Sequence, residues 1–169
     1  MRIVGGAARG TALAGRGKGD PAAHLRPTTD RVRESLFNLL AHAPYAPDWE
    51  ETRVLDVFAG TGALGLEALS RGAVGATFID SGGKAQALLR QNVARLRVES
   101  RVTILKRDAR RAGPGSAHEL LFLEPPYGTG RGGAAFAALR KGGGVGDGAL
   151  VVWEDSDHSE PSHGLTLLD

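Results

Sequence analysis

Hydrophobic and polar residues along this chain form a pattern that predicts strands and helices in turn. Short apolar runs bounded by charged residues or glycines are typical of buried strands, and apolar residues three or four positions apart are typical of helices with one buried face. The runs predict strands that begin at Val54 and span 76–80, 102–105, 120–123 and 149–153. The helical pattern follows Gly62 and returns at 84–96 and 134–139. Alternating strands and helices predict a doubly wound α/β sheet.

A further helix is predicted before the first strand. Pro27 is acceptable in or just before a first helical turn, and Thr28, Thr29 or Asp30 can cap it. The apolar face of this helix is expected to consist of Val32, Leu36, Leu39 and Leu40.

The first predicted strand ends in a glycine-rich turn. Gly60 and Gly62 separate this strand from a helix that Arg71 and Gly72 close. Such a turn lets the backbone approach a ligand beside the free N–H groups of the helix, so a nucleotide-like ligand is expected. The pattern Gly-x-Gly-x-x-Gly also matches nicotinamide and flavin dinucleotide sites, but Asp56, inside the strand, has no role in such a site.

Length and composition limit the classes of protein to consider. The 169 residues suit a single domain, and a hydrophobic content of 41% is ordinary for a globular chain. The sequence has no cysteine, which excludes disulfides and cysteine-based zinc sites. No apolar run approaches the ~18 residues of a membrane span, and the N-terminus lacks an apolar signal segment. We therefore expect a soluble cytoplasmic protein.

Charge is distributed unevenly, although the net charge is only +2. Residues 1–33 carry seven Lys or Arg against two acids and residues 84–111 carry nine against two, whereas residues 147–169 contain six acids and no Lys or Arg. We interpret residues 1–25 as a basic arm or hairpin that lies along RNA, and residues 26–169 as the main domain. Two alternatives stay open. One is that residues 1–25 are a tail without a role, and the other is that the arginines at 84–111 only solvate helix faces.

Three blocks of the sequence together resemble one family. They are Arg-Ile-Val-Gly-Gly at 2–6, Arg-Pro-Thr-Thr-Asp-Arg-Val-Arg-Glu-Ser-Leu-Phe-Asn at 26–38, and Asp-Val-Phe-Ala-Gly-Thr-Gly-Ala-Leu-Gly-Leu-Glu-Ala-Leu at 56–69. In this order they resemble the RsmD family, bacterial methyltransferases that act on guanine N2 of 16S ribosomal RNA. The resemblance covers nearly the whole chain. It implies the class I S-adenosylmethionine-dependent methyltransferase fold, a Rossmann-like, mostly parallel sheet flanked by helices.

The resemblance also implies a cofactor site at the C-terminal ends of the strands, where S-adenosylmethionine binds and S-adenosylhomocysteine is the product. Asp56 is expected beneath the methionine part, Asp80 at the ribose hydroxyls and Asp108 at the adenine amino group; dinucleotide sites support Asp80 by analogy. Simpler roles stay open for two of them. Asp80 can serve only to form a turn, and Asp108 can serve only as an ion-pair partner on the surface. The implied cofactor residues are Thr28, Thr29, Asp56, Phe58, Gly60, Gly62, Leu64, Asp80, Asp108 and Ala109.

The segment Glu124-Pro125-Pro126-Tyr127 follows the fourth predicted strand. It resembles the Asp/Asn-Pro-Pro-Tyr/Phe motif of enzymes that methylate exocyclic amino groups, and its four residues are the implied catalytic set. The lone pair of guanine N2 is delocalised into the ring, so acceptors must orient the amino group. The Glu124 carboxylate and the Pro125 carbonyl can accept, and Tyr127 can stack on a flipped base. Positioning of this kind contributes up to roughly 7–11 kcal/mol. Glu124 stands where the family has Asp, and the extra methylene is expected to displace the carboxylate.

Further expectations concern partners and the end of the chain. The implied partner is 16S ribosomal RNA or a small-subunit assembly intermediate, and we expect a monomer without a metal, since no two histidines have metal-ligand spacing. The chain stops at Asp169, before a last pair of antiparallel strands that the family has, so a sheet without this C-terminal strand pair is expected. The residues expected to bind RNA are Arg2, Arg9, Arg16, Arg26 and Arg31.

Three other functions remain open at this point. An enzyme that methylates adenine N6 in DNA shares the Pro-Pro-Tyr motif, but the chain has no room for a target-recognition domain. An RNA-binding or assembly factor could retain the fold after losing turnover through Glu124. A nicotinamide-dependent oxidoreductase rests on the glycine pattern alone and leaves Asp56 and residues 124–127 without a role.

Overall fold

A computed structural model describes residues 1–15, 17, 28–111, 115–154 and 164–168. Arg16 and Arg26, both expected to bind RNA, lie outside these residues. The strands are β1 (Arg53–Val57), β2 (Gly75–Ile79), β3 (Val102–Leu105), β4 (His118–Leu123) and β5 (Val145–Trp153). The α-helices are α1 (Asp30–His42), α2 (Ala63–Ser70), α3 (Gly83–Leu96) and α4 (Arg131–Lys141). Short 3₁₀ helices lie at Trp49–Glu51, Glu99–Arg101 and Ala109–Arg111.

The strands form one parallel sheet in the order β3-β2-β1-β4-β5. At its carboxyl edge, Val57 of β1 is in register with Ile79 of β2 on one side and with Leu123 of β4 on the other. The direction in which the chain moves across the sheet reverses between β1 and β4. In open α/β sheets the ligand binds outside the carboxyl ends of the strands at such a reversal. The topology therefore places the loops after β1, β2 and β4 around one crevice.

The predicted strands and the helices between them are confirmed, and β2 and β3 lie within one residue of their predicted spans. The last two strands begin earlier than predicted, β4 at His118 and β5 at Val145. The added residues include Glu119 and Asp147, so a hydrophobic pattern does not reveal them. Glu119 and Asp147 lie where the register shifts, between the pairs His118–Val145 and Leu120–Leu150, so the strands continue through residues that an apolar run does not mark.

The apolar face predicted for α1 is wrong in part. Val32 and Leu39 are 53% and 54% exposed, whereas Phe37 and Leu40 are buried. Arg33 is fully buried between them on the inner face. A pattern of hydrophobic residues does not place a guanidinium inside a protein, because a buried charge is tolerated only when other groups pair with it.

The burial of Arg33 depends on partners from three segments. Its guanidinium donates to the Asp30 carboxylate at 2.7 Å and to the backbone carbonyl of Arg2. Its Nε lies 3.9 Å from the Glu67 carboxylate of α2, which is also fully buried and accepts from the backbone N–H of Val4 at 2.9 Å. These contacts connect the N-terminal arm, α1 and α2.

The described part of the N-terminal arm folds back on itself as a short hairpin. An isolated antiparallel bridge joins Arg2 and Ala12, and the side chain of Ile3 is fully buried. The arm is held against α3 by Asn92, whose Oδ1 accepts from the N–H of Ala14 at 2.6 Å and whose Nδ2 donates to the Ala14 carbonyl at 3.0 Å. This attachment fixes the end of the hairpin on α3, next to Gly15.

Both faces of the sheet are covered by hydrophobic clusters. One cluster contains side chains of the arm, α1, α2 and α3, and the other contains side chains of α4 together with Ala109. Coverage on both sides explains why the central strands consist of nearly continuous apolar runs. Among the helices that the structure describes, none has the length and apolar character needed to cross a membrane.

Candidate active site

A cavity of about 540 Å³ opens at the carboxyl ends of the strands beside the reversal between β1 and β4. The loops after β1, β2, β3 and β4 contribute to its wall, as does the N-terminal arm. Thr29 and Gly62, and the three arginines Arg2, Arg9 and Arg31, do not line it. The predicted site residues that do line it are Thr28, Asp56, Phe58, Gly60, Leu64, Asp80, Asp108, Ala109, Glu124, Pro125, Pro126 and Tyr127.

The glycine turn forms the wall at the end of β1. Phe58, Gly60 and Gly62 adopt φ angles of 60°, 57° and 79°. At Gly62, the residue that precedes α2, a Cβ atom would also come within 2.3 Å of the Leu89 side chain. At Phe58 the left-handed conformation costs about 1–2 kcal/mol because the residue has a side chain. Strain of this kind is concentrated at functional sites, which supports a ligand-binding role for the turn.

Asp56 connects the end of β1 to α2. Its Oδ2 accepts from the N–H of Gly65 at 2.9 Å, one of the N–H groups that the first helical turn leaves without a helical partner. Burial raises the pKa of the Asp56 carboxyl well above its usual range, and the nearby Glu124 and Asp80 raise it further, against the lowering effect of the Gly65 N–H. Asp56 therefore holds the start of α2 next to the end of β1, and it also lines the cavity.

Asp80 connects the glycine turn to the loop after β2. Its Oδ2 accepts from the N–H of Gly60 at 2.8 Å, and its Oδ1 accepts from the N–H of Gly82 at 2.8 Å. The side chain of Gln86 donates to the Asp80 carbonyl at 2.8 Å. The turn-forming role considered for Asp80 is thus present, and the same carboxylate lines the cavity.

Asp108 lies beyond the end of β3. The Arg110 guanidinium binds its carboxylate with Nη2 at 2.6 Å from Oδ2 and Nε at 3.1 Å from Oδ1. These hydrogen bonds, with that from the Arg110 backbone, lower the pKa of Asp108 to about 2. The ion pair considered for Asp108 is present, and its carboxylate lines the cavity in ionised form. Ala109 is buried behind it.

Glu124 follows β4 and is enclosed by polar neighbours. The Thr28 hydroxyl donates to its Oε1 at 2.7 Å. Burial, together with the neighbouring Glu154, raises the pKa of Glu124 to about 7, against the lowering effect of the Thr28 hydroxyl. The Tyr127 hydroxyl donates to Glu154 Oε1 at 2.5 Å. This hydrogen bond joins Glu124 to Thr28, which was predicted from the block at 26–38. The two residues are 96 positions apart in the chain.

Of the lining residues that were not predicted for the site, five lie outside the turn after β1 and the end of β2 with its loop. They are Met1, Gly15, Arg107, Arg131 and Glu154. Glu154 directly follows β5, and a polar residue at the carboxyl end of a parallel strand is a signal that could have found it. The others belong to no local motif, since their place on the wall depends on how the arm and loops pack.

Three of the arginines predicted to bind RNA, Arg2, Arg9 and Arg31, are among the described residues, and they do not line the cavity. Arg2 donates its backbone N–H to Asp30 at 3.2 Å, and its side chain is 69% exposed. Arg9 and Arg31 are exposed as well.

Comparison with known proteins agrees with this architecture. The family model described as Conserved hypothetical protein 95 matches residues 1–168. A relative from Escherichia coli K12, named ribosomal RNA small subunit methyltransferase D, is 40% identical over 169 residues, which are 99% of this chain and 79% of the relative. The chain belongs to the RsmD family. The family membership expected from the three sequence blocks is therefore confirmed.

Other relatives of this RsmD family member support the same assignment. YlbH of Bacillus subtilis strain 168, provisionally described as an rRNA methyltransferase, is 36% identical over 132 residues, covering 75% of this chain and 67% of YlbH. An Escherichia coli structure provisionally described as the methyltransferase yhhF superimposes with a TM-score of 0.80 at 38% identity, covering 96% of this chain and 84% of that one. The predicted class I methyltransferase fold is confirmed.

Proposed function

We propose that this RsmD family member transfers a methyl group from S-adenosylmethionine to N2 of a guanine in small-subunit ribosomal RNA. The Escherichia coli relative is named for methylation of small-subunit ribosomal RNA. The observation that carries the proposal is one cavity at the strand ends that joins a glycine turn, held by Asp80, to the pair Glu124 and Tyr127. This arrangement suits a nucleoside cofactor on the turn and an amino group presented to Glu124.

The charge of the cavity favours S-adenosylmethionine over a dinucleotide. When bound, this donor supplies an electrophilic methyl group on a positively charged sulfonium, and it carries an ammonium group nearby. A dinucleotide would instead bring a pyrophosphate close to the ionised Asp108 and to the Asp80 carboxylate, which repel it. The N–H of Gly60 also donates to Asp80 and is directed away from an anionic ligand.

The cofactor residues have chemically distinct roles in this proposal. Asp80 accepts from the ribose hydroxyls with lone pairs that its two backbone donors leave unused. Asp108, ionised beside Arg110, accepts from the adenine amino group. Asp56 faces the methionine part. Thr28 closes the cavity from the segment before α1 through its hydrogen bond to Glu124.

Glu124, Pro125 and Tyr127 present the target base. The Glu124 carboxylate and the Pro125 carbonyl accept from the amino group, and the Tyr127 ring, 48% exposed at the cavity mouth, stacks on the flipped guanine. The nitrogen lone pair forms the N–C bond while the S–C bond breaks, with its electron pair staying on sulfur. The nitrogen then releases one proton. Orientation supplies most of the acceleration, since the methyl group is already strongly electrophilic.

The rim of the cavity offers a cation for the RNA backbone. Arg131 begins α4, is exposed, and lines the cavity four residues after Tyr127. We expect the Arg131→Ala variant to weaken binding of a single-stranded ribosomal RNA fragment and to reduce the slope of log affinity against log salt by about 0.7, the value for one lost phosphate contact. Fluorescence anisotropy titrations at several salt concentrations measure both quantities.

A matched change elsewhere on the same helix separates this contact from general charge effects. Lys141 lies at the opposite end of α4 and is exposed. The Lys141→Ala variant should bind the fragment with the affinity and salt slope of the unaltered protein. Equal losses in both variants would show that Arg131 acts only through net charge.

The proposed reaction is tested by methyl transfer from labelled S-adenosylmethionine to small ribosomal particles from cells that lack this protein, followed by nucleoside analysis. We expect label in N2-methylguanosine. Label in N6-methyladenine of DNA, with none in the particles, would replace the proposal by a DNA methyltransferase. Tight binding of RNA and cofactor without any labelled product would favour an RNA-binding factor.

A further inference from the structure

We propose that Glu154 is a positioning residue of this site, whose carboxylate holds the Tyr127 hydroxyl and controls the protonation of Glu124. The inference rests on the proposed function and extends it to a residue outside the four-residue motif. Its basis is a set of contacts between the segment after β4 and the end of β5.

Glu154 is placed by the sheet itself. Its backbone N–H donates to the carbonyl of Leu123 at 3.0 Å, which continues the pairing of β4 with β5 by one residue. Leu123 directly precedes Glu124 in the chain. The backbone geometry of two paired strands therefore fixes how far the two carboxyl groups stand apart, and does so without a mobile loop.

The contacts of Glu154 and a difference in exposure distinguish the two carboxyl groups. The Tyr127 hydroxyl donates to Glu154 Oε1 at 2.5 Å. Glu154 also raises the pKa of Glu124, through a hydrogen bond and through its charge. Glu124 is half-buried and Glu154 is exposed, so the ionised form is disfavoured at Glu124.

The remaining groups around Glu124 do not perform this function. The Thr28 hydroxyl donates to it from the segment before α1, and the charge of Arg33 in α1 favours its ionised form. Asp56 of β1 is a second acidic neighbour, but it is buried and accepts from the N–H of Gly65. Glu154 is the acidic partner that reaches both Glu124 and Tyr127 among the residues that the structure describes.

This arrangement has a chemical consequence for amino methylation. A protonated Glu124 has fewer acceptor lone pairs for the guanine amino group, and an ionised Glu124 can accept from it and take up the released proton. Glu154 favours the protonated form while the site is empty of RNA. A base that donates to Glu124 displaces this proton toward Glu154 and solvent. Meanwhile Glu154 keeps the Tyr127 ring in one orientation for stacking.

The test compares Glu154→Gln with the unaltered protein across the neutral pH range. Glutamine keeps the size of the side chain and a carbonyl for the Tyr127 hydroxyl, but it removes the negative charge. We expect the single-turnover rate of the unaltered protein to rise with pH through about 7. In the Glu154→Gln variant the midpoint should move to lower pH by about one unit, because the like charge that disfavours ionised Glu124 is gone.

A second readout does not depend on turnover. Carbon-13 NMR of proteins with labelled glutamate carboxyl groups follows the titration of Glu124 directly, with its resonance assigned by its absence in a Glu124→Gln sample. The same downward shift of the Glu124 midpoint is expected in the Glu154→Gln protein without RNA. Glu50→Gln, an exposed change in the 3₁₀ helix at Trp49–Glu51, is the matched control and should leave both midpoints in place.

The two readouts separate the failure of this inference from that of the proposed function. A Glu124 midpoint that Glu154→Gln leaves unchanged in the NMR titration overturns the inference, whatever the activity is. The other outcome is that Glu154→Gln lowers the Glu124 midpoint in the NMR titration but the unaltered protein forms no N2-methylguanosine. That result supports the contact between the two carboxyl groups and contradicts the proposed reaction.

Discussion

The Glu124→Gln variant is expected to lower the single-turnover rate of methyl transfer roughly 10²-fold, at the lower end of what a positioned acid–base group contributes. Glutamine fills the same space and can still accept from Thr28, but it cannot ionise or take up the proton that the guanine amino group releases. The rise in rate through about pH 7 should also disappear, since the pKa of Glu124 is its proposed origin. Rapid-quench measurements on saturated enzyme and RNA report the rate at each pH.

Two comparisons show whether the loss belongs to the Glu124 carboxylate. Cofactor affinity, measured by calorimetry with S-adenosylhomocysteine, should change little, because Glu124 is assigned to the base. The Glu124→Asp variant keeps an ionisable group but withdraws it from Thr28 by one methylene, so its rate should fall between those of glutamine and glutamate. Full activity in Glu124→Gln would remove Glu124 from the mechanism and leave the Pro125 carbonyl as the acceptor.

Replacing Asp80 by alanine is expected to weaken S-adenosylhomocysteine binding roughly 10²- to 10⁴-fold, the effect of losing about two hydrogen bonds to a charged acceptor at 1.5–3 kcal/mol each. Asp80 is the carboxylate that lines the cavity beside the N–H groups of Gly60 and Gly82. Isothermal calorimetry measures the dissociation constant. Asp147→Ala, an exposed change in β5 toward the edge of the sheet opposite the cavity, is the control and should bind as tightly as the unaltered protein.

The Asp80 variant also loses two backbone contacts, so a second ligand is needed to identify the cause. The unaltered protein should prefer S-adenosylhomocysteine over its 2′-deoxy analogue, and Asp80→Ala should bind the two alike. A disturbed glycine turn would weaken both ligands and keep their ratio. A preserved ratio would therefore show that Asp80 supports the turn and does not contact the ribose.

Local patterns in the sequence were sufficient for the order of elements and for one wall of the cavity. The strands at 76–80 and 102–105 were predicted to within one residue because each is a short, mainly apolar run bounded by charged residues or a glycine. The turn at Gly60 and Gly62 was equally readable, since its positive φ angles require residues that tolerate them. Alternating strands and helices predict a parallel sheet, in which the carboxyl ends of the strands lie at one edge. Most of the predicted site residues therefore line the same cavity.

The inner face of α1 could not be read in this way. Arg33 is buried because Asp30 of the same helix, Glu67 of α2 and the Arg2 carbonyl of the arm meet around it, and the last two come from other segments. Periodicity within one helix contains no information about such partners, so it selected the exposed Val32 and Leu39 instead.

The sequence by itself determined the strand and helix order, the glycine turn, the Glu-Pro-Pro-Tyr segment and the family, because each depends on residues close together in the chain. Only the tertiary structure decided which groups share a proton or a hydrogen bond across the cavity. Asp80 binds the N–H of Gly60 over 20 residues, Tyr127 meets Glu154 over 27, and Thr28 meets Glu124 over 96. Contacts at such separations arise from how the strand ends and loops pack, and packing is a property of the whole fold.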